Sequence, residues 1–162
     1  MRDLIKRIQN TPDCRVFPPK GIPKIPDHLS LPLDVQSFYS LAGGAVLLQN
    51  SLSPYEIPEP QNFVPSNEII FPEGYDWDLP ENDRSYDWYV AANSGPEQYI
   101  SIDLNPDRLG RCYDSFWQLH ATEDAEIVAL SFREMIEHLL DHRGDGPYWV
   151  EDGFPRLGFA YD

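Results

Sequence analysis

One acidic and aromatic segment, residues 73–88, holds most of the side chains that could bind a ligand or a partner. Its carboxylates and rings interleave, and ten of them form the candidate partner-binding surface: Glu73, Tyr75, Asp76, Trp77, Asp78, Glu81, Asp83, Tyr86, Asp87 and Trp88. Carboxylates attract the Arg and Lys of a basic protein, and aromatic rings give contact area at low entropic cost. The segment therefore favours a protein interface; the plainer alternative is a solvated loop whose rings cover a sheet edge.

Metal binding has weaker support in the sequence. Asp76, Asp78, Glu81 and Asp83 could supply oxygen ligands to calcium, but the loop lacks the glycine and closing glutamate of an EF-hand. We therefore expect no calcium there.

A second metal alternative involves two histidines. His138 and His142 stand four residues apart on one predicted helix, as zinc ligands can. Leu139 occupies the place of the glutamate in a HExxH motif, and the helix dipole gives His142 its own reason to lie near a C-terminus. We expect neither a metal nor a cofactor.

Catalysis is also disfavoured. The sequence has no nucleophile-elbow motif and no glycine-rich phosphate loop. Ser131, His120 and an aspartate could be assembled into a triad on paper, but Ser131 with Glu134 three residues later reads as a helix capping box. We predict no catalytic residue and no enzymatic activity.

Length and composition predict a folded protein. With 162 residues, 41% of them hydrophobic, we expect a single domain over residues 1–162. No apolar run approaches the ~20 residues that span a bilayer, and the charged N-terminus does not resemble a signal peptide. Cys14 and Cys112 lack a CxxC spacing, so we expect reduced thiols and a cytoplasmic protein.

Charge is unevenly distributed along the chain. Residues 1–24 hold six of the twelve basic residues beside two acidic ones, so residues 25–162 carry six basic and 25 acidic residues. A body of that charge repels phosphate backbones and anionic lipids, which argues against nucleic acid and membranes as partners. It attracts a basic protein surface, although solubility alone would also explain the charge.

The elements that must position these residues are short. Apolar residues at helical spacing predict helices near residues 4–8, 32–41 and 132–140, the last with the Glu134 carboxylate reaching back to the backbone N–H of Ser131. Leu33, Phe38 and Leu41 are expected on the apolar side of the second helix, which a glycine pair ends. Residues 11–32 hold six prolines and should be largely extended.

Several runs predict strands, at residues 45–48, 67–71, 88–92, 98–104, 111–113 and 126–130. In the fourth, polar and apolar residues alternate with the period of a half-buried strand. Strands grouped between helices predict an α+β fold with a largely antiparallel central sheet flanked by helices. We divide the domain into a proline-rich N-terminal strap (1–28), a body (29–142) and an aromatic tail (143–162), which should pack on the body.

In the order of these elements the chain resembles the SMI1/KNR4 superfamily, also called SUKH. The resemblance covers residues 29–142 and rests on three ordered pieces: Leu31-Pro32-Leu33-Asp34 leading through Phe38-Tyr39 to Gly43-Gly44, then Tyr99 to Pro106 with Gly110, then Ile127 to Phe132 followed by Met135-Ile136 and Leu139-Leu140. Each piece has an architectural role, so the resemblance identifies a fold and names no catalytic group.

The resemblance also implies a class of function. Many bacterial members are immunity proteins that bind and neutralise a cognate toxin, often a nuclease, whereas fungal relatives are regulatory partner-binding proteins. It implies a non-catalytic immunity protein whose partner is a cognate toxin. The acidic charge of the chain predicts a basic surface on that toxin, and the oligomeric state, monomer or homodimer, stays open. The alternative is a regulatory or scaffold module of the Smi1/Knr4 type.

Overall fold

The structure is a computed structural model that describes residues 1–73 and 78–162. Within these residues four helices accompany seven strands, numbered in chain order. The helices are α1 (Arg2–Asn10), α2 (Leu33–Leu41), α3 (Ser66–Ile70) and α4 (Phe132–His142). The strands are β1 (Arg15–Val16), β2 (Ala45–Leu47), β3 (Tyr55–Ile57), β4 (Trp88–Asn93), β5 (Tyr99–Asp103), β6 (Cys112–Asp114) and β7 (Ile127–Ala129).

All seven strands belong to one antiparallel sheet whose spatial order is the chain order, β1 to β7. A tight turn joins β4 to β5, where the Ser94 N–H donates to the Gln98 carbonyl at 2.8 Å. Neighbouring antiparallel strands need only such short connections. The α+β fold with an antiparallel central sheet is confirmed.

One face of the sheet packs against α1, α2 and α4. The apolar stripe predicted in α1 is buried there, and a buried cluster joins side chains from all three helices to the strands. At its centre the Phe38 ring meets the rings of Tyr39 and Phe132 edge-on, at centroid distances of 5.2 and 5.3 Å. Each fully buried large apolar side chain contributes about 2 kcal/mol, so this face is the main source of stability.

The opposite face of the sheet is also covered, so the prediction of a half-buried β5 is wrong. Ser101 and Asp103, expected to face solvent, are both 0% exposed. A second, smaller cluster around Trp88 and Tyr113 lies on this face with residues of the C-terminal tail. The alternation in β5 therefore separates an apolar face from a buried polar face, because chain segments distant in sequence cover the polar one.

The prediction of a strand at residues 67–71 is also wrong, because this segment forms α3. Pro65 precedes the helix, and its carbonyl oxygen accepts a hydrogen bond from the N–H of Glu68 at 3.2 Å. Ile70 is buried while Ile69 is 49% exposed. Pro65 before the helix and the burial of Ser66 and Asn67 favour a helix more strongly than the β-propensity of the two isoleucines favours a strand.

Helix α2 begins and ends where the sequence indicated, but its buried side differs. Val35, Phe38 and Tyr39 are buried, whereas Leu33, expected on the apolar side, is 79% exposed. Residues two positions apart lie on nearly opposite sides of a helix, so the burial of Val35 in the same turn places Leu33 toward solvent.

The glycine pair after α2 is required by a close approach of the strap. A Cβ on Gly43 would lie 2.1 Å from the Pro18 carbonyl oxygen, and Gly44 has a φ of +114° that side chains rarely adopt. Phe17 exchanges backbone hydrogen bonds with both glycines, at 2.8 and 3.0 Å. Glycine is needed because backbone, and not a flexible side chain, occupies the space.

The predicted capping box of α4 is confirmed in one half. Ser131 Oγ accepts the Glu134 N–H at 3.1 Å, as expected. The Glu134 carboxylate reaches back to the N–H of Leu130 at 2.7 Å, one residue earlier than predicted. Both bonds satisfy donors at the start of the helix, and the second also fixes its join to β7.

The buried carboxylate of Asp103 joins three strands at the end of β5. Its Oδ2 accepts from Trp88 Nε1 at 3.2 Å, Tyr113 OH at 2.9 Å and Arg108 Nε at 2.8 Å, and its Oδ1 accepts the Asn105 N–H at 2.9 Å. Burial raises the pKa of Asp103 above its ordinary value, opposed by the Asn105 and Arg108 bonds. A carboxylate that is buried away from water needs such donors to replace its hydration.

The aromatic tail packs on the body, as predicted. Tyr148 and Trp149 are each 5% exposed, and Tyr148 OH donates to the Val128 carbonyl at 2.8 Å. Near the end of the chain, the N–H of Ile127 donates to the Gly158 carbonyl at 2.9 Å. Among the described residues, no helix is long and apolar enough to cross a membrane.

We predict that Asp103→Ala lowers the free energy of unfolding by about 3 kcal/mol, because it leaves the buried Trp88 and Tyr113 donors without their acceptor. Urea unfolding measures the change. Asp107→Ala is the matched control, since Asp107 is an exposed aspartate of the same turn and should change stability by about 0.5 kcal/mol or less. Equal effects of the two substitutions would contradict the architectural role of Asp103.

Candidate functional site

The acidic and aromatic segment predicted as a binding surface is described at residue 73 and residues 78–88. Tyr75, Asp76 and Trp77 lie outside the described residues. Three carboxylates (Glu73, Asp78 and Glu81) are exposed, and so is Tyr86, with an exposed fraction of 44%. These four side chains are available to a partner, and their use as an interface stays a prediction.

Two further carboxylates of the segment are half-buried and tied to the fold. Asp83 Oδ1 accepts the Ser85 N–H at 2.8 Å and the Tyr161 hydroxyl at 2.7 Å, which anchors the end of the tail. Asp87 Oδ2 accepts Asn105 Nδ2 at 2.8 Å and lies 3.5 Å from Arg108 Nη2. Changing either would alter the structure as well as the surface charge.

Trp88 is the one predicted contact that the structure corrects. Its side chain is fully buried, with its ring centroid 4.4 Å from that of Tyr113 and its Nε1 on Asp103. A partner cannot reach it. The sequence did not separate buried Trp88 from exposed Tyr86 because the chain passes from loop to strand at Trp88.

Sequence reasoning missed a second acidic region, a groove of about 710 Å³ beside the tail. The tail groove lies where β6 ends and β7 begins, between residues 119–126 and residues 149–159. Five carboxylates line it together with one arginine and three aromatic rings: Asp114, Asp124, Glu126, Glu151, Asp152, Arg156, Trp149, Phe154 and Phe159. The only signal in the sequence was the alternation of acidic and aromatic residues in the tail.

The inner wall of the tail groove is rigidly built. Asp114 is 5% exposed, and its carboxylate accepts from Trp149 Nε1 at 2.9 Å, the Phe116 N–H at 2.9 Å and Gln98 Nε2 at 3.0 Å. These bonds hold the indole of Trp149 against the end of β6. A preorganised wall needs little ordering when a ligand binds.

His120 belongs to a buried polar network on the second face of the sheet. Its Nδ1 lies 3.0 Å from Ser115 Oγ, and its Nε2 lies 2.7 Å from Asn67 Oδ1. Asn67 Nδ2 faces Ser85 Oγ at 3.1 Å, and Ser101 Oγ lies 2.6 Å from Ser115 Oγ. Because an amide oxygen can only accept, Nε2 carries a proton.

This network does not have the form of a hydrolytic site. His120 is 2% exposed and Ser115 is 0% exposed, so no substrate reaches them. The side-chain oxygen beside Nε2 belongs to an amide and not to a carboxylate. Ser131, the nucleophile weighed from the sequence, caps α4. In the described part of the chain these residues act in the architecture.

The two histidines of α4 also have local partners. His138 Nε2 lies 3.5 Å from Glu134, and the His138 ring packs against Tyr148 and Phe154 at 5.0 and 5.6 Å. His142 Nδ1 lies 3.4 Å from Glu151. Across residues 1–73 and 78–162, no group of three or more His, Cys, Asp or Glu side chains is placed to hold a metal ion.

Burial of His120 predicts a pH-dependent stability. Burial lowers the pKa of His120 from 6.5 to about 4, with Asp83 opposing the change. Between these values the unfolded chain binds a proton that the folded chain does not. The contribution of neutral His120 to the free energy of unfolding is therefore complete above pH 6.5. It decreases toward pH 4, by roughly 3 kcal/mol in total. His120→Gln should flatten this part of the curve of unfolding free energy against pH; equal slopes in both proteins would contradict the assignment.

Comparison with known proteins is consistent with this architecture. The model of the SMI1 / KNR4 family (SUKH-1) matches residues 28–138, which include α2, α3, strands β2 to β7 and the larger part of α4. The chain is also 41% identical over 160 residues to "Immunity protein YokJ" of Bacillus subtilis (strain 168), covering 98% of this chain and 94% of that protein. The family match through six of the seven strands and the near-complete alignment with this relative show that the chain belongs to the SMI1/KNR4 family (SUKH-1).

Proposed function

We propose that this chain is an immunity protein that binds a cognate toxin and neutralises it without catalysing a reaction. The observation that carries the proposal is the 41% identity, over almost the full length of both chains, to a protein named as an immunity protein. A relationship that includes the strap and the tail as well as the body supports a shared mode of action.

Stoichiometric binding fits the chemistry of the described residues. The serines and the histidine that could have suggested catalysis are hydrogen-bonded in the interior or at a helix start. The surface carries the available chemistry, in the form of exposed carboxylates and a groove with aromatic walls. Such surfaces act by complementarity and need no reacting group.

The charge of the chain suggests what kind of toxin would be bound. Residues 25–162 carry 25 acidic and six basic residues, a field that speeds encounter with a positively charged protein. A nuclease has a basic surface because it must bind phosphates, so a nuclease cleft is a suitable target. Exposed Glu73, Asp78 and Glu81 with Tyr86 would steer and contact such a partner, whereas nucleic acid and anionic membranes would be repelled.

The competing function is a regulatory module that binds a cellular partner without any toxin. Family membership alone is compatible with both functions, but the near full-length relative favours immunity. The two differ in one observable consequence: an immunity protein protects cells only when its toxin is present.

The direct test is co-expression with the protein encoded beside this chain's gene. We expect that protein to arrest growth alone, that this chain restores growth, and that the two copurify in a fixed ratio. In a purified activity assay the inhibition should end at one equivalent of this chain, because occlusion is stoichiometric. Complete protection at a small fraction of an equivalent would indicate catalysis and overturn the proposal, as would protection without a complex.

The acidic surface has its own test with the same partner. Neutralising Glu73→Gln, Asp78→Asn and Glu81→Gln together should slow association about tenfold at low salt and weaken its salt dependence, because these side chains act through the long-range field. Stopped-flow fluorescence measures the rate. The matched control is Glu56→Gln, Glu68→Gln and Asp107→Asn, which removes equal charge from other exposed positions. Equal rates for the two triple variants would exclude a localised surface.

A further inference from the structure

The tail groove differs from the rest of the acidic surface because it is concave. Its volume of about 710 Å³ is that of a binding cleft, and its walls come from residues 114–126 and from the tail. Two backbone bonds clamp the tail to the body beside it, Ile127 N–H to the Gly158 carbonyl at 2.9 Å and Ala160 N–H to the Ala125 carbonyl at 2.8 Å. The groove is therefore a fixed feature of the folded chain and not a gap between loose segments.

The groove carries a strong excess of negative charge. Five carboxylates face one cation, Arg156, whose side chain is 79% exposed and whose Nη2 lies 3.8 Å from Glu126 Oε1. An exposed ion pair at that distance neutralises little. Within residues 1–73 and 78–162, the ion-pair partner of the Glu151 carboxylate is His142, whose Nδ1 lies 3.4 Å away. The potential inside the groove consequently remains negative.

At the inner wall, a carboxylate is buried without a counter-charge. Asp114 is 5% exposed and its three donors are neutral N–H groups; among the described residues it forms no ion pair with Lys or Arg. Buried carboxylates are ordinarily paired with a cation. In a groove open to solvent, a ligand can supply the cation that the chain itself does not.

The aromatic walls restrict the form of that cation. Trp149, Phe154 and Phe159 line the groove, and Val150 at its edge is 69% exposed. A guanidinium or ammonium group on an alkyl stem suits this combination, since the stem packs on rings while the charge meets carboxylates or a ring face. A bare metal ion would not use the rings, and no metal-binding group is present in the described residues.

We propose that the tail groove receives one or more Arg or Lys side chains from a loop of the cognate toxin. The proposal rests on the proposed function and names the place where the partner is held. About 710 Å³ accommodates several such side chains, within the range of roughly 300–1,000 Å³ typical of ligand sites. The chain's own basic segment is partly occupied already, with Arg7 paired to Asp141 and Lys20 to Glu59, which makes a second copy a poorer occupant.

The test combines a groove variant with a matched surface variant. Asp124→Asn, Glu126→Gln and Asp152→Asn remove three of the five groove carboxylates while sparing Asp114 and Trp149, which hold its wall. The control is the triple variant Glu56→Gln, Glu68→Gln and Asp107→Asn. Calorimetric titration with the copurified partner should show affinity at least about tenfold weaker for the groove variant and a change of less than about threefold for the control. Equal losses of affinity in the groove variant and the control variant would overturn the proposal.

A second measurement separates failure of the groove from failure of the proposed function. A hexaarginine peptide, followed by two-dimensional NMR of the whole chain, should shift the signals of residues 114–126 and 149–159, and the groove variant should abolish these shifts. If toxin neutralisation fails but the peptide still maps here, the function is wrong and the cation site stands. If this chain neutralises the toxin while the groove variant binds it normally, the assignment of the tail groove as the binding site is wrong. Wild-type self-association that the groove variant removes would identify a second copy as occupant and also overturn the proposal.

Discussion

The placement of the Asp103 carboxylate is the constraint on which the rest of the sheet depends. A buried negative charge is tolerated only while its donors stay in position, and the donors here come from β4, from β6 and from the turn between β5 and β6: Trp88, Tyr113, Arg108 and Asn105. The bonds therefore fix the register of three central strands together. They also set the second face of the sheet, where Trp88 and Tyr113 begin the smaller cluster that the tail completes.

The cations of the body extend the same principle to the periphery. Arg84 donates to the carbonyls of Ala160 and Asp162, and thereby fastens the C-terminus. Arg133 lies 2.5 Å from Asp3 and 2.8 Å from Glu137, and so joins α1 to α4. With Arg108 at Asp103, half of the six cations of residues 25–162 hold elements together. The surface stays negative because the 25 acidic residues of this part of the chain outnumber its six basic ones.

Local patterns predicted most of the elements, and long-range burial accounts for the errors. The stripe in α1, the serine cap of α4 and the glycine pair after α2 depend on neighbours in sequence, so periodicity and residue type were sufficient. The residue alternation of β5 could not show that a second layer covers its polar side. Trp88 and the tail groove were missed for the same reason, since Asp114 and residues 149–159 meet only through the tertiary fold.

The division of carboxylates into tied and free groups bears on how a binding protein of this kind can be both stable and strongly acidic. Like charges on a compact surface repel and oppose folding. Here Asp83, Asp87 and Asp103 accept donors from other elements and so support the fold, whereas exposed ones such as Asp78 and Asp124 carry the field. An approaching cation relieves repulsion among the free group without competing with the bonds of the tied group. Binding energy is then gained where the folded chain is electrostatically least satisfied, and the scaffold that shapes the groove is left intact.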